Sequence, residues 1–191
     1  MTRTLGLALC LWLLVLAPAG AADPKPLPGN SVYQLQARML DQAGRPVQWR
    51  GLRGKPRIVT MFYSNCPFMC PLIIETGKGV DRALTPAQRA RLGITFVSLD
   101  PKRDTPAALA ALAAKRTIDP RWQLLQPRPQ DVRAVAGILQ VRYRALADGE
   151  FNHTSVLVLL DAEGRERART ETMGPRPDPE FLAAVRKAVA I

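Results

Sequence analysis

The chain has 191 residues, of which 47% are hydrophobic and 23% charged, a balance typical of a globular domain with a proper core. Lysine and arginine number 27 against 16 aspartates and glutamates, which gives a formal net charge of +11. The basic residues are scattered rather than gathered into a run with aromatic residues, which argues against a nucleic-acid-binding protein. They keep the surface soluble, or steer the protein toward an acidic partner or an anionic membrane face.

The N-terminal segment has the pattern of an export signal. Arg3 supplies a positive start, residues 5–16 form an apolar core, and small residues with Ala-x-Ala cleavage options follow. A membrane-spanning helix needs about 20 apolar residues, so this core is short. We therefore expect residues 1–21 to be a cleaved signal peptide, with an uncleaved N-terminal anchor as the alternative. Cleavage after Ala21 would remove Cys10 and leave Cys66 and Cys70 as the cysteines of the exported chain.

The chain beyond the signal predicts one domain. Residues 22–31 are rich in proline and indicate an extended leader, and residues 32–191 form the domain. Its pattern predicts a hairpin over 32–49, strands at 57–63, 94–99, 122–125, 154–160 and 165–170, and helices ending near 83 and starting at 85, 105, 130 and 178. Thr85 and Thr105, each followed by proline, indicate helix N-caps. This alternation predicts an α/β, thioredoxin-like fold with a central mixed sheet flanked by helices and an N-terminal β-hairpin.

Two cysteines, Cys66 and Cys70, follow the buried strand 57–63 where the chain turns into a helix. Side chains four positions apart lie on one face of a helix, so we expect the two sulfurs to point the same way and to share one metal ion. The positive potential of the helix N-terminus favours the thiolate, which is the form that binds metal or attacks a disulfide. An inert disulfide is the alternative, but closing so short a loop would stabilise the fold by only about 2 kcal/mol or less.

The single histidine of the chain, His153, stands in a polar loop before the apolar strand 154–160. A lone histidine is most often a surface or core residue of no special function. In this topology, however, the loop before that strand and the turn after strand 57–63 meet at one edge of the sheet, where ligands of open α/β sheets bind. We therefore expect His153 to complete a site with Cys66 and Cys70.

Two thiolates and one imidazole make a soft, three-coordinate ligand set. Soft sulfur ligands select Cu(I) and an imidazole helps to hold Cu(II), so the set predicts copper, one ion per chain. Zinc is the alternative metal: a structural zinc site would need a fourth protein ligand, but a three-ligand site with an open position stays possible. Met61 and Met69 lie near the motif, and we expect both to be core residues rather than ligands.

At these residues the chain resembles the Sco/SenC family of copper-binding proteins. Four features match in order: a leading hairpin ending in LRGKP at 52–56, the CPxxCP motif at 66–71, the segment DPKRDTP at 100–106, and His153 before a strand that ends in LLDxxG at 159–164. The match covers about residues 32–190. The simplest interpretation of DPKRDTP itself is a rigid loop that caps the following helix.

The resemblance implies that Cys66, Cys70 and His153 are the copper ligands. It also implies an exported metallochaperone of the bacterial periplasm, soluble or tethered to the inner membrane, that delivers copper to the dinuclear copper site of cytochrome c oxidase or keeps the thiols of that site reduced. The client would be the copper-binding subunit of the oxidase or another exported copper protein. We expect membrane contact only through an uncleaved leader or surface charge, and we take the protein to be a monomer. Family members often carry an acidic residue where this chain has Phe68, so partner choice and metal release are expected to differ.

Two other functions compete with copper delivery. A thiol–disulfide oxidoreductase would use Cys66 as the attacking thiol and Cys70 as the resolving thiol, if the protein is an enzyme. Such reductases usually place a cis-proline opposite the cysteines, whereas residues 152–154 of this chain read Asn-His-Thr, which favours metal. A peroxiredoxin-like peroxidase would need proline and threonine before its cysteine, where Val59 and Tyr63 stand, and it ranks last.

Overall fold

The computed structural model describes residues 26–66 and 68–190. The expected signal peptide, residues 1–21, lies outside the described residues, as does the start of the expected leader. Within the described ranges, none of the helices has the length and apolar character needed to cross a membrane.

A mixed sheet forms the centre of the fold. The described residues contain nine strands: β1 (Arg38–Asp41), β2 (Pro46–Gln48), β3 (Arg57–Phe62), β4 (Gly93–Ser98), β5 (Gln123–Pro127), β6 (Tyr143–Ala145), β7 (Phe151–His153), β8 (Leu157–Leu160) and β9 (Glu166–Thr170). Seven of them form one sheet in the order β2-β1-β5-β4-β3-β8-β9. β3, β4 and β5 run parallel to one another, and the outer strands pair antiparallel with their neighbours.

Helices flank this sheet. The described residues contain five α-helices: α1 (Met69–Arg82), α2 (Pro86–Arg91), α3 (Pro106–Lys115), α4 (Val132–Ile138) and α5 (Pro179–Ala188). Every residue of β3 and β4 is buried, which requires cover on both faces of the sheet and explains why the interiors of both strands are apolar or β-branched. Thr85 and Thr105 cap α2 and α3 through their side chains, as predicted, and Thr85 also forms a capping box with Gln88.

Several predicted boundaries shift, each for a local reason. The first hairpin strand begins at Arg38 rather than at residue 32, because residues 32–34 form a 3-10 helix. That turn is held by the Ser31 hydroxyl, which accepts a hydrogen bond from the Tyr33 N–H at 3.1 Å. The helix expected from residue 130 begins at Val132, after a 3-10 turn led by Pro129.

A second, two-stranded sheet formed by β6 and β7 was absent from the sequence prediction. His153 pairs with Tyr143 across this hairpin, and Phe151 pairs with Ala145. The expectation that His153 lies in a loop is therefore wrong: it ends strand β7. Because β8 runs antiparallel to β3, with Val59 opposite Val158, the hairpin that precedes β8 lies at the end of the sheet where β3 finishes. This end of the sheet is where the predicted site should form.

Candidate functional site

The two cysteines lie at the turn between β3 and α1. Cys70 is the second residue of α1, whereas Cys66 lies before the helix begins at Met69. The expectation that both cysteines share a helical face is therefore wrong, because the helix starts three residues after Cys66. They are joined instead by a hydrogen bond, in which the backbone N–H of Cys70 donates to Sγ of Cys66 at 3.4 Å.

The two thiols have different surroundings, although both are free. Cys70 is 3% exposed, and its Sγ accepts a hydrogen bond from the backbone N–H of Tyr63 at 3.5 Å. Burial raises the pKa of the Cys70 thiol well above its ordinary value. Burial also opposes ionisation of the half-buried Cys66, but hydrogen bonds to its sulfur, from the backbone N–H groups of Cys70 and Phe68 and from the side chains of Cys70 and Tyr63, together outweigh it and lower the pKa of Cys66. Cys66 is therefore the accessible, thiolate-prone sulfur, and Cys70 is the enclosed one.

Asp104 fixes the cysteine loop, residues 63–66, from the opposite side. Both of its carboxylate oxygens accept the Ser64 N–H, at 3.1 and 3.2 Å, and the hydroxyls of Ser64 and Ser98 also donate to it. Asp104 is 1% exposed, and burial raises its pKa although these donors oppose the shift. The segment DPKRDTP does more than cap α3 through Thr105, because it also anchors the loop that carries Cys66.

His153 presents one nitrogen that has no partner. Its Nδ1 lies 3.1 Å from the Thr154 carbonyl oxygen, which can only accept, so this contact assigns the hydrogen to Nδ1 and the lone pair to Nε2. Nε2 is buried and has no hydrogen-bond partner. Burial also lowers the pKa of the imidazole, with the Thr154 carbonyl in partial opposition. The edge of the Tyr63 ring packs against the imidazole at a centroid distance of 5.8 Å.

Cys66 and His153 line the same cavity, of about 360 Å³. The other residues that line it are Tyr63, Phe68, Met69, Leu146, Glu150, Phe151 and Asn152. Within the described part of the chain, no three His, Cys, Asp or Glu side chains stand close enough together to hold a metal ion as a ready-made cluster. Cys66 thus neighbours both Cys70, through a hydrogen bond, and His153, across the cavity, but the three predicted ligands do not form a closed coordination set. Two sulfurs and an unpartnered imidazole nitrogen nevertheless fit a soft metal such as copper.

The two methionines near the motif differ in solvent exposure. Met61 is 1% exposed within β3, so the prediction that it belongs to the core is confirmed. The same prediction for Met69 is wrong, since its side chain is 38% exposed and lines the cavity. Met69 begins α1 at the loop, and the buried face of that helix starts with the next residue, Cys70. Phe68 beside it is 80% exposed.

A polar network that the sequence did not reveal connects the hairpin to the cysteine loop. One oxygen of Glu150 accepts the Tyr63 hydroxyl at 3.0 Å, and the other accepts the Asn65 side-chain amide at 3.0 Å. Arg103 lies 3.9 Å from the same carboxylate, donates to the Gly149 carbonyl, and is ion-paired with Asp100. No local pattern could have shown these contacts, because the partners come from three distant segments.

Comparison with known proteins places this arrangement in a family. A sequence model of the SCO1/SenC family matches residues 28–190. The chain belongs to the SCO1/SenC family. The resemblance noted on the four motifs is thus confirmed, together with the α/β, thioredoxin-like fold class.

Individual SCO1/SenC proteins show how similar the chain is to its relatives. The SCO2-like protein of Rickettsia conorii is 26% identical over 154 residues, which cover 74% of each chain. The structure of Bradyrhizobium japonicum ScoI with copper bound superposes with a TM-score of 0.69 at 26% identity, covering 81% of this chain and 98% of that one. A SCO1/SenC family lipoprotein from Bacillus anthracis shares the fold, with a TM-score of 0.70 at 20% identity over 81% of this chain and 94% of that one.

Proposed function

We propose that this SCO1/SenC protein binds one copper ion per chain through Cys66, Cys70 and His153 and delivers it to a respiratory copper enzyme. The observation that carries the proposal is the shared cavity, which is lined by Cys66, the accessible and thiolate-prone cysteine, and by His153, whose buried Nε2 has no hydrogen-bond partner. The copper bound in the structure of B. japonicum ScoI supports the choice of metal. The dinuclear copper site of cytochrome c oxidase is the client that the family resemblance favours.

The three ligands suit a carrier because they differ in accessibility. Cys70 is enclosed, Cys66 is half-buried, and His153 belongs to a small hairpin outside the main sheet. A client thiol or imidazole can reach copper on the side of Cys66 and His153 and replace these ligands first, while Cys70 holds the ion until the exchange is complete. An under-coordinated site of two thiolates and one imidazole leaves room for such an incoming ligand.

The cellular setting belongs to the same proposal. Residues 1–21 would direct export, residues 22–31 would form a leader, and residues 32–191 would act as one copper-binding domain in the periplasm. Neither oxidation state of copper is excluded by the ligand set, because the sulfurs favour Cu(I) and the imidazole adds affinity for Cu(II).

Copper titration of the purified, reduced protein tests the proposal. We expect one equivalent of Cu(II) to bind with thiolate-to-copper charge-transfer absorbance, and we expect His153→Ala to abolish those bands. Arg144→Ala is the matched control, since Arg144 is exposed on the same hairpin and does not line the cavity. Absence of stoichiometric copper, or bands that survive in His153→Ala, would overturn the proposal.

The asymmetry of the thiols supports thiol–disulfide exchange as a second candidate function. The Cys66 thiolate would attack a client disulfide and form a mixed disulfide, releasing one client thiolate. The Cys70 sulfur, deprotonated as it reacts, would then attack Sγ of Cys66 and release the second client thiol, leaving a Cys66–Cys70 disulfide. The client gains the two electrons that the dithiol loses. A reduction potential well below about −270 mV would make the pair an effective reductant, and a much higher one would exclude this role.

A further inference from the structure

The β6–β7 hairpin is attached to the rest of the protein by few contacts. Its two strands pair only with each other, and most of the residues between Arg142 and Gly149 are exposed. Its apolar attachments include Tyr143 and Phe151, which are partly buried against the core, and the Phe151 ring lies 5.2 Å from that of Tyr63. A three-residue strand pair with one exposed face has little stability of its own. The position of His153 must therefore depend on the polar contacts of the hairpin.

Those polar contacts centre on the Glu150 side chain, and the Tyr63 hydroxyl adds contacts with the backbone of Phe151, at 3.3 Å to its carbonyl and 3.4 Å to its N–H. Glu150 accepts hydrogen bonds from Tyr63 and Asn65 in the cysteine loop, both at 3.0 Å. Its carboxylate also lies 3.9 Å from the Arg103 guanidinium, which in turn donates to the carbonyl of Gly149. Hydrogen bonds to an ionised carboxylate are about twice as strong as those between neutral groups. Glu150 thus joins the hairpin to both neighbouring loops.

We propose that Glu150 and Arg103 are positioning residues that hold the β6–β7 hairpin against the cysteine loop, so that His153 faces Cys66 across their shared cavity. The inference rests on the proposed function, since its purpose is to present His153 to copper. Neither residue needs to touch the ion. Their effect on binding passes through the imidazole.

The loop that carries Arg103 gives this arrangement its rigidity. Arg103 is ion-paired with Asp100, and the backbone N–H of Asp104 donates to the carbonyl of Asp100 at 2.9 Å. Asp104, the next residue, holds Ser64 of the cysteine loop through its buried carboxylate. Two consecutive side chains of one loop therefore contact both parts of the site. Asp104 contacts the cysteine loop, and Arg103 contacts the hairpin that carries His153.

Removing Glu150 should release the imidazole and leave the thiols in place. Cys70 is held by the core and by the Tyr63 N–H, neither of which involves the Glu150 side chain. We therefore expect Glu150→Ala to lower the affinity for Cu(II) about 10- to 100-fold, the usual effect of removing a group that orients a metal ligand. Glu150→Gln keeps an oxygen acceptor but loses the charge, so its loss should be smaller. Arg103→Gln should resemble Glu150→Gln.

A double-mutant cycle in the purified protein tests the inference, with Cu(II) affinity measured by competition with a chelator. If Glu150 acts through His153, Glu150→Ala weakens binding strongly in the wild type and by less than about twofold in the His153→Ala background. Glu166→Gln is the matched control, because Glu166 is ion-paired with Arg169 at 2.7 Å on β9 and pairs with Leu160 at the end of β8 away from the site. Equal losses in both backgrounds, or wild-type affinity in Glu150→Ala, would overturn the inference.

Hydrogen exchange in the metal-free protein separates this inference from the proposed function. The Leu146 N–H donates to the Glu150 carbonyl and the Thr154 N–H to the Arg142 carbonyl, so both amides report opening of the hairpin. We expect their exchange to accelerate at least about tenfold in Glu150→Gln and to be unchanged in Glu166→Gln. If the wild type binds no copper but this acceleration is found, the proposed function fails while Glu150 and Arg103 remain the residues that position the hairpin. Unchanged exchange would overturn the positioning role, whatever the copper result.

Discussion

The two halves of the site are built in different ways. The thiol half, which consists of Cys66 and Cys70, lies between β3 and α1. All residues of β3 are buried, and α1 buries Cys70, Ile73 and Ile74. The imidazole half is a short hairpin in a separate sheet, held mainly by Glu150 and by the packing of Phe151 on Tyr63. The thiol half is therefore anchored to the core and is called the rigid half below, whereas the imidazole half depends on the attachments of the hairpin and is called the adaptable half. The stability of the fold and the geometry of the site can change separately, and each of the following experiments tests that separation.

Truncation of the rigid half should cost the most stability. Phe62 is fully buried in β3, and its ring meets that of Phe96 edge-on at 5.5 Å. We expect Phe62→Ala to lower the free energy of unfolding by about 3–5 kcal/mol, because it leaves a cavity in the core. Urea denaturation measures this loss. Phe68→Ala is the control, since Phe68 is 80% exposed and its loss should change stability by about 0.5 kcal/mol or less. Equal losses of unfolding free energy in the two variants would contradict the conclusion that β3 belongs to a tightly packed core whereas Phe68 lies on the surface.

Loss of the Asp104 carboxylate should have the next largest effect. Asp104→Ala leaves the Ser64 N–H and the Ser98 hydroxyl without their acceptor, at an expected cost of about 1–3 kcal/mol in unfolding free energy. Asp104→Asn keeps one oxygen acceptor and should cost less. Thermal and urea unfolding of both variants measure the difference. A cost for asparagine as large as that for alanine would show that the carboxylate holds the loop by its charge alone.

Alkylation should distinguish the two thiols within the rigid half. In the metal-free protein at neutral pH, we expect Cys66 to react with iodoacetamide at least about tenfold faster than Cys70, because the thiolate is the nucleophile and Cys70 is enclosed. As pH rises, the rate at Cys66 should level off earlier than for an ordinary thiol, since its pKa is lowered, whereas Cys70 should still gain reactivity above that range. Mass spectrometry of labelled peptides measures both rates. Equal rates in the folded protein would contradict the asymmetry, and equal rates are expected once the chain is unfolded in urea.

Truncation of the adaptable half should have the smallest effect on stability. Phe151→Ala removes an edge-on aromatic contact with Tyr63, which is worth about 0.5–1.5 kcal/mol, and a looser one with Tyr143 at a centroid distance of 6.4 Å. Urea denaturation should therefore show a much smaller loss than for Phe62→Ala. A loss of similar size in the two variants would mean that the hairpin unfolds with the core and does not move separately from it.

The sequence predicted the rigid half well and the adaptable half poorly. The apolar run of β3, the caps at Thr85 and Thr105, and the cysteine pair are local patterns whose physical meaning does not depend on distant residues. The order of strands predicts the placement of His153, because it puts the start of β8 beside the end of β3, and the register of Val59 opposite Val158 agrees with that topology.

The features that the sequence does not predict share a cause: tertiary contacts determine each of them. β6 and β7 are three-residue strands with few apolar positions, so they are too short to show the alternating hydrophobic pattern that predicts a strand. The exposure of Met69 depends on where α1 begins, and that boundary lies three residues after Cys66. The contacts of Glu150 with Tyr63 and Arg103 join segments that only the folded chain brings together.

The pairing of β8 with β3 also sets the order in which the site can be assembled during folding. The strand that leads into Cys66 belongs to the early part of the chain, whereas β8, which brings the hairpin alongside it, belongs to the late part. We expect contacts between such distant segments to form late. The long intervening chain must first close into a loop, which costs conformational entropy, before the contacts contribute stabilising free energy. A chain that has not yet made this pairing has the two sulfurs without the imidazole, and a bare dithiol discriminates little among soft metals. In the proposed copper site, selectivity for the metal would therefore be acquired only when the last strands join the sheet.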